Sequence, residues 1–111
     1  MTDNPAVAQV DTLATDMLEE ARGQHSRRVA RTLVTGTSQR VTLIALAGGA
    51  ELAEHGAPSA ATLHVLHGQV VLHTHDRRWE LDAGQLIAIP PQRHGLTAVS
   101  DAAVLLTVAL R

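Results

Sequence analysis

The chain has 111 residues, 45% of them apolar, and a formal net charge of -2 at pH 7, which suits one domain burying roughly 65% of its unfolded surface. It contains no Cys, Lys, Tyr or Phe, and Trp79 is its only aromatic residue. That excludes disulfides, thiolate and Schiff-base nucleophiles, a P-loop lysine and base-stacking platforms. The remaining chemistry rests on seven His, eleven carboxylates, the Ser and Thr hydroxyls and nine Arg. The charge balance exerts no pull toward nucleic acid or anionic membrane. No apolar run approaches the ~18 residues of a membrane span, and Met1 to Gln9 lacks the basic and apolar regions of a signal peptide. The expectation is a cytoplasmic protein. An all-Arg basic set with eighteen Ala fits a bacterial source.

Residues 1–9 are small and polar with Pro5 and read as a flexible tail. A helix is expected over 10–23: Val10, Leu13, Ala14, Met17, Leu18 and Ala21 recur at helical spacing. Asp11 is the expected N-cap and Gly23 the left-handed residue after the last turn. A three-turn, one-sided helix should lie on something larger. The domain proper is expected over 27–111. Short β-branched runs follow at Val29–Val34, Arg40–Leu46, Leu63–Leu66, Gln69–His73, Trp79–Leu81, Leu86–Ile89, His94–Val99 and Ala103–Leu110. Gly36, Gly48–Gly49, Gly68, Asp76 and Ala83–Gly84 supply turns, and Pro90–Pro91 stops a strand because proline cannot donate to a ladder. Eight or nine short strands at this spacing predict a sandwich, jelly roll or barrel. Ala103–Leu110 is nearly all apolar, so both its faces should be covered, one by the core and the other by the helix or a partner. The expected partner is a second copy of the chain.

Gly49 is followed after five residues by His55, and the run Val65-Leu66-His67-Gly68 comes next. Farther on, Gly84 precedes Pro90 by five intervening residues, with His94 beyond. This skeleton resembles the two motifs of small single-domain bacterial cupins of the RmlC-like superfamily. The resemblance implies an all-β fold, a double-stranded β-helix (jelly-roll) barrel with a short N-terminal helix in this chain. It also implies a divalent metal (Zn, Fe, Mn or Ni) held by three His and one Glu. Only His55 and His94 stand on matching positions. Ala57 and Ala61 occupy the second His and Glu positions, and His94 arrives one residue early.

Four functional readings follow. The first is a small-molecule-binding protein whose ligand sits in the barrel mouth, among His55, His94, Gln92, Ala57, Ala61, Leu63 and Val65. The second is a metal-dependent enzyme, dioxygenase- or isomerase-like, built on His55 and His94 with a further ligand from Glu51, Glu54, His64 or Gln92. The third is metal-free acid–base catalysis by one of the two imidazoles. The fourth is a non-catalytic sensory or interaction module. His73-Thr74-His75 has metal-like i, i+2 spacing but runs into a turn, which favours an exposed tip. His64 and His67 have opposite strand parity: His64 should be partly buried and His67 exposed. Arg22, Arg27, Arg28 and Arg31 read as solvated charges or partners of Glu19 and Glu20. Trp79 reads as packing area.

Overall fold

The computed structural model describes residues 6–56 and 60–110. One helix, α1 (Val10–Gly23), precedes nine strands: β1 (Arg28–Thr35), β2 (Gln39–Leu46), β3 (Glu51–His55), β4 (Ala60–His67), β5 (Gln69–Thr74), β6 (Arg78–Asp82), β7 (Leu86–Ala88), β8 (His94–Ala98) and β9 (Ala102–Ala109). They form a five-stranded sheet ordered β1-β2-β9-β4-β7 and a four-stranded sheet ordered β3-β8-β5-β6. Every pairing is antiparallel. From β2 to β9 the chain passes repeatedly between the sheets, and this winds it into the expected jelly roll. Seven of the nine strands match the sequence expectation to within about two residues. β4 starts three residues earlier than expected, and β3 was not foreseen because Glu51-Leu52-Ala53-Glu54 has too little apolar character to announce a strand.

The sheets close over one core. Ile44, Leu46, Leu63, Val65 and Val104 from the five-stranded sheet meet Val70, Leu72, Leu81, Leu96 and Ala98 from the other. Trp79 packs against this cluster from its edge, and the Arg77 guanidinium lies 5.0 Å from its ring centroid. A second cluster forms on the outside. Ala14, Met17, Leu18 and Ala21 of α1 press onto Leu43, Ala45 and Ala103, flanked by Val29, Leu33, Leu66 and Leu105. The helix therefore covers the outer face of β2 and of the first half of β9, which is why those strands are apolar without alternation.

Both expected caps of α1 are corrected. Gln9 occupies the N-cap position without a side-chain bond, and Asp11 lies within the first turn, where its charge complements the helix dipole. Gly23 is the last helical residue and Gln24 is extended. The left-handed residue in this connection is Arg27, at φ 61°, which stands just before β1. The helix is instead tied down through Asp101. That carboxylate accepts from Arg22 Nε at 2.8 Å and from the Gly48 N–H at 2.8 Å, joining α1 to the β2–β3 and β8–β9 turns. The Gly48 N–H, followed by the Arg22 guanidinium, holds the Asp101 carboxyl below the usual carboxylate range. Arg22 also pairs with Glu19 at 3.7 Å, as the charge pattern suggested.

Candidate functional site

His55 ends β3 and His94 opens β8, and the two are directly paired across the strands. Directly opposed side chains on one sheet face lie close enough to interact. Here the rings meet edge to face, with centroids 4.6 Å apart and planes at 61°. Their position follows from the local sequence. Pro90–Pro91 releases the chain from β7 and carries it across to the other sheet. Gly49, at φ 88°, turns the chain from β2 into β3.

Each ring is fixed by its own strand. His55 Nδ1 is 2.9 Å from the Ala53 carbonyl oxygen, and His94 Nδ1 is 3.1 Å from that of Gln92. A carbonyl oxygen only accepts, so both Nδ1 atoms carry the proton. In the neutral rings both Nε2 atoms are then bare lone pairs, with no hydrogen-bond partner among the described residues. His94 is 5% exposed, whereas His55 lies open to solvent.

Beneath the pair is a cavity of about 30 Å³, walled by Ile44, Leu52, Leu63, Leu72, Ile89, Leu96 and Leu106. It has room for about one water molecule and is far smaller than the roughly 300 Å³ or more of a drug-sized site. Branched side chains have filled the barrel interior, so a ligand must sit at the mouth and insert only a small group.

The other expected site residues separate. Leu63 lines the cavity. Val65 is sealed in the core and lines no part of the cavity. Ala61 borders a shallow groove with Ser38, Thr107 and Ala109, and its carbonyl accepts from the Ile89 N–H. Gln92 contributes its carbonyl to His94, while its side chain is exposed. Ala57 lies outside the described residues. None of the possible extra ligands joins the two imidazoles. Glu51 pairs with Thr97 on the outer face, and the Glu54 carboxylate lies 3.7 Å from His73 Nδ1. His64 is half-buried opposite Leu105 on the helix side of β4, and His67 is exposed. Among the described residues, no three His, Asp or Glu side chains gather as a metal would require. Two imidazoles fall short of the three protein ligands that an open catalytic site keeps, so this donor set does not fit a resident metal.

Sequence reasoning missed the carbonyl restraints on the two rings and the contact between His73 and Gly95. A Cβ built on Gly95 would lie 2.7 Å from His73 Cε1 and 3.0 Å from both His73 Nε2 and the Leu52 carbonyl oxygen. The glycine itself was the only available signal, since glycine inside a strand often marks a close approach.

Comparison with known proteins places this geometry in a family. Residues 42–110 match the family model described as the cupin domain, while no curated protein matches the chain. A conserved protein of unknown function from Streptococcus pyogenes superposes with a TM-score of 0.79 at 23% identity, over 99% of this chain and 91% of that one. An RmlC-like cupin from Desulfovibrio desulfuricans gives 0.68 at 19% identity, over 99% and 97%. A transcriptional regulator from Vibrio cholerae gives 0.64 at 25% identity, over 74% of this chain and 50% of that one. With its jelly roll, the spacings Gly49–His55–Gly68 and Gly84–Pro90 and this match over most of its length, the chain belongs to the cupin family.

Proposed function

We propose that this cupin binds a small, partly apolar molecule at its mouth through the Nε2 atoms of His55 and His94. The observation that carries the reading is the pair of carbonyl-held imidazoles over a leucine-walled cavity. Holding Nδ1–H leaves two acceptors side by side when the rings are neutral, which selects a ligand that presents a hydroxyl or N–H donor. Its apolar part would rest on Leu52, Ile89 and Leu106 at the rim. Such a site recognises one small polar group and gains the rest of its affinity from apolar contact.

A screen of small hydroxyl- and amine-bearing compounds, read by histidine ring NMR and thermal shift, tests this. Binders are expected to move the ring signals of both histidines and to weaken at least about fivefold in His94→Ala, the worth of one lost hydrogen bond. The reading fails if no compound stabilises the protein, or if binders hold equal affinity in that variant. A second reading, a binding module that reports to another protein, draws fold-level support from the Vibrio cholerae regulator. Ligand binding without turnover, together with capture of one defined protein partner only when ligand is present, would favour it.

A further inference from the structure

We infer that Glu54 and His73, on the outer face of the four-stranded sheet, are positioning residues that hold the His55 ring in the barrel mouth. This deepens the reading of the mouth as the binding site and rests on it. The argument begins with a count. Leu52 points into the core. In a regular strand side chains alternate, so the residue three positions later would point outward. His55 nevertheless faces the cavity.

The reversal comes from the register. β3 pairs Leu52 with Leu96 and His55 with His94, so Ala53 and Glu54 together oppose the single residue Gly95. One extra residue in an edge strand is a bulge, and a bulge re-aims the side chains that follow it. Without it His55 would face solvent and His94 would be alone at the mouth.

Three contacts hold the bulge. Arg93 Nη2 donates to the Glu54 carbonyl at 3.0 Å. His55 Nδ1 donates back to Ala53. The third contact crosses a strand: β3 and β5 flank β8, and the Glu54 carboxylate reaches toward His73 Nδ1 at 3.7 Å. The path runs over Gly95, the one position on that stretch of β8 without a side chain, and the His73 ring lies against it. When His73 is protonated, this is an ion pair that ties the bulged edge strand to an interior strand. The sheet centre is thereby linked to the direction of the His55 ring.

The test is read in the ligand-free protein, so its outcome is independent of the ligand screen. Long-range nitrogen–proton spectra of the histidine rings report tautomer and orientation ring by ring, and they identify the pH at which His73 is protonated. At that pH, Glu54→Gln and His73→Gln are each expected to change the His55 ring signals and to remove the ring-to-ring proton contacts with His94 that report its direction. The Nδ1-protonated signature of His94 should persist, because His94 is held by Gln92. Glu51→Gln, on the same strand, should leave both rings unchanged. The persisting His94 signal and an intact amide spectrum separate lost positioning from lost folding. If either substitution unfolds the protein, Glu54→Asp tests the same contact by drawing the carboxylate one methylene back from His73. Unchanged His55 ring signals in the folded variants would overturn the inference, and so would equal change at His55 and His94.

Discussion

The two sheets meet the same core but have different outer surfaces. On the five-stranded sheet, Leu43, Ala45 and Ala103 are buried again on the outside, beneath α1. On the four-stranded sheet, the outer face is a polar groove bearing His73, His75, Asp76, Arg77 and Arg78 beside Val71, Thr97 and Val99. The first arrangement resists change because close-packed interiors do not yield. The second leaves polar side chains open to one another, as in the approach of Glu54 to His73 that we infer positions His55.

Substitutions on the two faces test this contrast. Leu43→Ala opens a cavity between helix and sheet and is expected to cost about 2–5 kcal/mol, measured by urea unfolding. Thr97→Ala, on the open face, should stay within about 0.5 kcal/mol. Comparable costs would erase the distinction. Gly68→Ala comes next. Its φ is 76°, and an added Cβ would collide with the Asp101 backbone, so a loss of at least about 2 kcal/mol is expected from left-handed strain plus backbone displacement.

Asp101→Asn should cost about 1–2 kcal/mol, since the lost charge-assisted bonds are partly solvent-screened. Its pH dependence has a definite sign. The folded carboxyl is held below its ordinary range. Its contribution is therefore complete above the unfolded value of about 4 and disappears as the pH falls through the folded one. The gap between wild type and variant should close in acid, and a gap that stays constant down to pH 2 would show that Asp101 does not act through its charge. After these comes His94→Ala, expected to cost about 1 kcal/mol in stability, because the ring already borders a cavity. A much larger loss would mean that the ring is a packing element first.

Much of the fold could be read from local pattern. The α1 stripe from Val10 to Ala21, the turn glycines and the Pro90–Pro91 stop all work over a few residues, and the structure keeps each of them. The cap assignments failed for a related reason. Asp11 and Gly23 are good capping residues, but Asp101 and Gly48, far along the chain, anchor the helix instead. For the site, the motif spacing brought attention to His55 and His94. It did not reveal that Val65 is sealed in the core, or that Glu54 and His64 turn away from the imidazoles.

By itself, the sequence determined the strand-and-turn skeleton, the one-sided helix and the cupin frame, because periodicity and special backbone residues act locally. The tertiary structure decided which way His55 points, which groups accompany it and how little space lies beneath it. Those outcomes depend on a one-residue shift of register between β3 and β8 and on side chains packed in from distant strands. Neither leaves a periodic trace in the order of residues along the chain.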